Sequence, residues 1–287
     1  MEFRTPVQID KPTFQIEPLE EILFVGSCFA DSIGQRFREE HFPVTVNPFG
    51  TMYNPASVLH TLSRYEASRS AQSESGNEDR FPRIVFITLG TNHVYRLKET
   101  GEIVDNCQKR PARLFQEETL TVDECADYLR QIVELLRSRR PDVQVVFTVS
   151  PIRYQKYGFH ESQLSKATLL LAIDKLYLGN HNSQFSILNS PFSYFPAYEI
   201  VLDELRDYRF YKEDMIHPSA QAVEYIWQQL VEHYFSPRAK QFLQAWKPIK
   251  EAFGHRPFHP ESEEYQHFLE ETKKKEAELL TRYRICD

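Results

Sequence analysis

The sequence predicts an α/β fold built on a parallel sheet with helices on both faces, and three observations carry that expectation. Three short apolar runs, Ile22 to Val25, Ile84 to Leu89 and Val143 to Val149, are rich in β-branched and aromatic residues, as strands buried on both faces are. Each run stops at a small or turn-forming residue, at Gly26-Ser27, Gly90-Thr91-Asn92 and Ser150-Pro151 respectively. Helical patterns fill much of the chain between and after them, and strands alternating with helices build a parallel sheet.

In chain order, the first run is followed by Asn47-Pro48-Phe49-Gly50-Thr51-Met52-Tyr53-Asn54-Pro55, a stretch dense in turn formers that reads as a loop serving a site or a tight turn. Residues 66–80 carry no large apolar side chain and read as a mobile surface insertion. Thr121 and Glu124 make a T-x-x-E capping box, and Cys125, Leu129, Ile132, Val133 and Leu136 follow it at helical spacing. A further helix is expected from about Ser162 to Leu178. Another follows Pro218, a residue favoured in a first helical turn, and shows Ala222, Val223, Ile226, Trp227, Leu230, Val231 and Tyr234 in one apolar stripe. Beyond Pro237 no strong strand occurs, while Tyr265, Phe268, Leu269, Leu280 and Tyr283 fit an amphipathic helix whose polar face carries Lys273, Lys274 and Lys275. Residues 1–235 are therefore expected to form the α/β domain and residues 236–287 a helical extension.

The 287 residues include 21 Phe, 15 Tyr and 2 Trp with 26% charged residues, a composition that excludes general disorder. The net charge of -7 leaves no overall basic surface for a phosphate backbone, so nucleic acid is not an expected partner. The four cysteines, Cys28, Cys107, Cys125 and Cys286, form no CxxC pair and have no local histidine cluster, which suggests reduced thiols in a cytoplasmic protein and no metal site. The first twenty residues lack the apolar core of a signal peptide, and the longest apolar run, Leu169 to Ile173, is far short of the roughly 18 residues of a membrane span.

Ligands of an open parallel sheet bind outside the carboxyl ends of its strands, where loops and helix N-termini converge with free N–H donors. The informative residues are therefore Gly26-Ser27-Cys28, Gly90-Thr91-Asn92-His93 and Ser150-Pro151-Ile152-Arg153, with the loop at 47–55 between the first two. Asp214-Met215-Ile216-His217 lies directly before the helix that follows Pro218, where a loop reaches the same edge.

Gly26-Ser27-Cys28-Phe29-Ala30 resembles the signature of the GSCFA family, and NPFGTMYNP, FITLGTNHVY, TVSPIR, SKATLLLAID and FPAYEIVLDELRDYRFYKEDMIHPS resemble further segments of it. The resemblance runs from about residue 20 to 235. That family in turn resembles the SGNH (GDSL-like) hydrolases, whose four blocks carry a nucleophile, two oxyanion donors and an Asp-x-x-His pair. The resemblance implies a three-layer α/β/α sandwich with a flavodoxin-like sheet and no cofactor. Carried over block by block, it places the nucleophile on Cys28, or on Ser27 if the loop is shifted by one residue. It places oxyanion donors at Gly50 and Asn92, with His93 standing where the pattern has Asp, and the acid–base pair at Asp214 and His217.

The chemistry gives reasons of its own. A thiol is a weak nucleophile until it loses its proton, with a free pKa of about 8.5 that falls beside an imidazolium or a helix N-terminus, and Cys28 is expected to have both neighbours. His217 serves as base and then as acid to the leaving group, while Asp214 orients its ring. The Asn92 side chain and backbone N–H groups at Gly50 and Cys28 are candidates to stabilise an oxyanion, at roughly 3 kcal/mol per donor. The plainer alternatives are a buried filler for Cys28, a strand-ending turn residue for Asn92 and a capping role for Asp214. Cys125 sits on a helix stripe and reads as core.

His93 and Arg153 are candidates to hold an anionic substrate group, with pairing of Arg153 to Glu199 or Asp203 as the alternative. The stretch from Asp203 to Tyr211 either lines a carbohydrate cleft or, more plainly, forms a salt-bridged loop that positions the Asp214 and His217 turn. His255 and His259 share i, i+4 spacing, but Pro257 between them argues for a surface loop. Together these readings point to an acyl-ester or thioester hydrolase acting on a small-molecule or carbohydrate-linked acyl substrate through a covalent acyl-enzyme. The alternatives are an acyltransferase to or from a carbohydrate using the same residues, and a noncatalytic ligand-binding domain. The absence of a Gly-rich phosphate loop argues against a nucleotide enzyme.

Overall fold

The computed structural model describes residues 4–73, 81–105, 107, 110–179 and 192–284. The expected strands form at Ile22–Gly26 (β1), Ile84–Leu89 (β3) and Gln144–Val149 (β7), and two shorter ones, Val44–Val46 (β2) and Phe192–Tyr194 (β8), complete a five-stranded parallel sheet in the order β2-β1-β3-β7-β8. Both faces of its centre are buried, and alternation along each strand divides the side chains between them. Leu23, Val25, Val85, Ile87, Leu89, Val145, Phe147 and Val149 enter one core, while Ile22, Phe24, Ile84, Phe86 and Val146 enter the other. The molecule is thus a three-layer α/β/α sandwich.

The first core is closed by Pro55–Ser73 (α2), Val122–Arg139 (α3) and Phe159–Gly179 (α4). The capping box at Thr121 and Glu124 forms with both reciprocal bonds. The second core is closed by Cys28–Glu39 (α1) and Ala220–Tyr234 (α6), with a short helix at Ala197–Glu199 (α5) that runs on as a π-helical segment, Ile200–Leu205. This side is aromatic: Phe24 stacks on Phe86 at 4.8 Å between ring centroids, and Phe37 meets Trp227 edge-on at 4.9 Å. Pro237–Phe253 (α7) adds Phe242 and Trp246 to the same core, and Glu263–Arg284 (α8) adds Leu279. Residues 237–253 and 263–284 are therefore helical, as expected. Among the described residues no helix is long and apolar enough to cross a membrane.

Four features differ from expectation. Residues 66–73 continue α2 rather than leaving it as a loop, and residues 74–80 lie outside the described residues. The helix after Pro218 is capped by Ser219, whose side chain accepts from Ala222 N–H, so the proline precedes the cap instead of occupying the first turn. Strands β2 and β8, three residues each, are too short for a periodic signal. Between β3 and α3 the chain builds a separate antiparallel ribbon from His93–Leu97 (β4), Ile103–Val104 (β5) and Phe115–Thr119 (β6), ordered β5-β4-β6. Its mixed, half-exposed residues carry no run of buried apolar side chains.

Candidate active site

Strand β1 ends on Gly26, whose φ of +142° suits a glycine and whose position leaves no room for a Cβ, which would run into the Thr88 carbonyl and lie 2.6 Å from its hydroxyl. The chain then turns directly into α1. Ser27 is the N-cap of that helix: its buried Oγ accepts from Phe29 N–H at 3.3 Å and shares a hydrogen bond with Thr88 Oγ1 at 3.0 Å. Cys28 is the first helical residue and is partly exposed. Its Sγ shares a hydrogen bond with the Tyr53 hydroxyl at 3.4 Å.

Tyr53 reaches the sulfur because the 47–55 loop is fastened to the end of β1. Asn47 Oδ1 accepts from Gly26 N–H at 2.9 Å, Asn47 Nδ2 donates to Asp31 on α1 at 3.0 Å, and Met52 N–H donates to Gly26 O at 2.9 Å. The Tyr53 carbonyl accepts from Gly90 and Thr91 N–H at the end of β3. Burial, and then the bond to Cys28, raises the Tyr53 phenol above its ordinary value, so it stays protonated at neutral pH.

His217 and Asp214 meet as expected, with Nδ1 and Oδ2 2.7 Å apart. Asp214 Oδ1 also accepts from the N–H groups of Ile216 and His217, each at 2.9 Å, and these bonds hold its carboxyl down at about 2. The turn places Met215 at φ +58°. Arg153 secures it from the end of β7: its backbone N–H donates to Ile216 O at 3.1 Å and its guanidinium to Met215 O at 2.8 Å, while the group packs over the Phe159 ring at 4.0 Å. Arg153 therefore holds the histidine turn, and neither Glu199 nor Asp203 is its partner; Glu199 instead accepts from the Tyr194 hydroxyl. The 203–211 stretch contributes Tyr211, which bridges to Pro218 across the same turn. His217 Nε2 has no hydrogen-bond partner among the described residues.

Both expected oxyanion donors already make a hydrogen bond within the protein. Asn92 is buried, and its Nδ2 donates to Leu120 O at 2.7 Å. Gly50 N–H closes a turn onto Asn47 O at 2.9 Å. His93 begins β4 and stacks on Tyr157 at 4.0 Å between centroids, where burial lowers its pKa. Both rings line a cleft of about 590 Å³ between the ribbon and the sheet edge, together with Tyr53, Tyr95 and Tyr154. His255 and His259 lie in the non-helical link between α7 and α8.

Of the other cysteines, Cys125 is fully buried, with its thiol pushed up to about 12, and Cys107 borders the cleft. Cys286 lies outside the described residues. Among the described residues no group of three or more His, Cys, Asp or Glu is placed to hold a metal ion. The contact of Tyr53 with Cys28 is not readable in the sequence because it depends on the folded loop; the presence of Tyr53 in the NPFGTMYNP segment is the available signal.

The model of the GSCFA family matches residues 21–81 and 69–230, and that of the GSCFA domain protein, C-terminal domain, matches residues 246–287. No curated protein matches the sequence significantly. Similar solved structures include a protein assigned as a GDSL-like lipase from Parabacteroides merdae, at 13% identity and a TM-score of 0.47, covering 78% of this chain and 99% of that one. A member of the lipolytic protein G-D-S-L family from Veillonella parvula aligns at 12% identity and a TM-score of 0.43, covering 74% and 97%. A mutant of an acetyl-xylooligosaccharide esterase from Geobacillus aligns at 14% identity and a TM-score of 0.43, covering 77% and 96%.

Proposed function

The chain belongs to the GSCFA family, and from that premise we propose that it cleaves acyl esters or thioesters through a covalent acyl-enzyme on Cys28. The observation that carries this reading is the arrangement at one sheet edge. A partly exposed thiol opens α1 after β1, and a carboxylate-oriented histidine with an unbonded Nε2 is pinned to the end of β7. Strands β1 and β7 flank β3, so the thiol and the histidine turn stand at the same carboxyl edge of the sheet, although the hydrogen-bond partner of Sγ among the described residues is Tyr53 and not His217, so the two must close on each other when substrate binds. Ser27 is the weaker nucleophile candidate, because its hydroxyl is buried and committed to capping α1.

In the proposed reaction His217 takes the thiol proton and Sγ attacks the acyl carbonyl. The tetrahedral oxyanion is stabilised by the Cys28 N–H in the first turn of α1 and by the Tyr53 hydroxyl. Collapse breaks the bond to the leaving group, which receives the proton from His217. Water, deprotonated by the same imidazole, then attacks the thioester, releasing the acid and restoring the thiol. The cleft beside Tyr53 holds the substrate, and its partly exposed rings suit a carbohydrate-linked acyl group. The same feature favours a second reading, acyl transfer, in which a sugar hydroxyl replaces water.

The test is mass spectrometry of the Cys28 peptide after incubation with p-nitrophenyl acetate or an acetyl thioester. An acetyl adduct on Cys28 that fails to form in His217→Ala supports the reading, and faster adduct loss on adding a sugar favours transfer. Full ester turnover by Cys28→Ala would refute the nucleophile assignment, and no adduct or turnover with any activated acyl donor would leave a binding domain. Tyr53→Phe, which removes the hydroxyl and keeps the ring, should lower kcat by about tenfold or more with the melting temperature unchanged.

A further inference from the structure

Lys166 lies on the core-facing side of α4, among the buried residues Ser165, Leu169 and Ala172, where a helix packed on a sheet ordinarily carries an apolar side chain. It is 2% exposed and has no carboxylate partner among the described residues. Its Nζ donates to Gly90 O at 2.8 Å and to Ser150 O at 2.7 Å. These carbonyls stand where the β3–β7 ladder has ended; its last bond runs from Ser150 N–H to Leu89 O. Beyond that point the two chains diverge into different parts of the candidate site. Gly90 and Thr91 hold the Tyr53 backbone, and through it the hydroxyl on Cys28. The chain after Ser150 leads to Arg153, which holds Met215 and Ile216 and so the His217 turn.

We propose that Lys166 is a positioning residue that keeps the Cys28–Tyr53 half and the His217–Asp214 half of the site in one register, bridging the two strand ends where backbone pairing stops. The inference rests on the catalytic reading given above. Its chemistry suits the place. Burial pulls the side chain down to about 7, and a neutral amine has two N–H donors for the two carbonyls, whereas an ammonium has a third. The charged and titratable groups that line the small cavity of about 50 Å³ beside it are Arg153, Tyr198 and Tyr211, and none is acidic at neutral pH. No other side chain donates to both strand ends among the described residues.

The test compares p-nitrophenyl acetate cleavage by the full chain and by Lys166→Met, with Leu169→Ala as a control that creates a cavity on the same helix without touching either strand end. Lys166→Met should lower kcat by between about tenfold and the roughly hundredfold that a 1 Å misplacement costs, with KM changed by less than about threefold. Leu169→Ala should melt earlier yet keep the kcat of the folded enzyme. Should Lys166→Met fail to fold, Lys166→Gln is read by the same criteria, since its shorter amide still donates hydrogen bonds but cannot span both carbonyls. A kcat within about twofold of wild type in a folded Lys166 variant, or an equal loss in Leu169→Ala, would overturn the positioning role while leaving the nucleophile intact. Undiminished turnover in Cys28→Ala would overturn the catalytic reading and this inference with it.

Discussion

A carboxylate that accepts three hydrogen bonds within one tight turn holds a proton poorly, and Asp214 is such a group. Its folded pKa, about 2, lies below the ordinary value, so the contribution of these bonds is complete above about pH 4 and is lost as pH falls through 2. The acid limb of any activity should therefore not follow Asp214. The Asp214 carboxyl carbon resonance should complete its protonation shift only near pH 2, below the range of an ordinary carboxylate, as followed by NMR. Asp214→Asn keeps an oxygen for the backbone donors but can offer an amide N–H to Nδ1, favouring the wrong imidazole tautomer. It should cost about 10²- to 10⁴-fold in kcat with an unchanged melting curve. The Asp-His pair and the Gly-Ser-Cys triplet were legible in the sequence because each is local in the chain. Tyr53 and Lys166 were not, since the partner of Tyr53 lies 25 residues away and those of Lys166 lie 76 and 16 residues away, and the fold chooses them. Asn92 was correctly placed at a strand end, but the direction of its amide depends on a ribbon that the sequence did not announce.

At the scale of elements, the central strands were legible because burial on both faces writes unbroken apolar runs. The outer strands, three residues long, and the ribbon, with charged residues such as Arg96 and Glu117, write no such signal. The passage from β1 to α1 is the most constrained joint in the molecule. Gly26→Ala would force a side chain against the Thr88 backbone at a φ that residues with a Cβ rarely adopt, displacing the cap and the thiol together. It should destabilise the protein by about 3 kcal/mol or more, seen as a lower urea midpoint, and slow Cys28 acylation in whatever fraction still folds.

At the scale of the whole molecule, α7 behaves as part of the second core. Trp246 is buried, its Nε1 donates to Glu39 O at 2.9 Å, and Lys250 reaches Glu40 at 2.7 Å, so the C-terminal end of α1 is held from outside the α/β layers. Trp246→Ala should cost about 3 to 5 kcal/mol, and denaturant unfolding followed by both circular dichroism and fluorescence of Trp227 should shift as a single transition. Two separate transitions would show that the extension folds on its own. The ribbon enters the first core only through a few side chains, such as Val94 and Ile103. It leaves the sheet after β3 and returns before α3, and its two ends are clasped to each other, with Leu120 N–H donating to Asn92 O at 2.9 Å and Asn92 Nδ2 to Leu120 O. A segment closed at its own stem can change in length at its tip without disturbing β1 and β7, beyond whose ends Cys28 and Arg153 stand. One wall of the cleft is in this sense an exchangeable cassette, and relatives sharing the same sheet edge are free to diverge in what they admit to it.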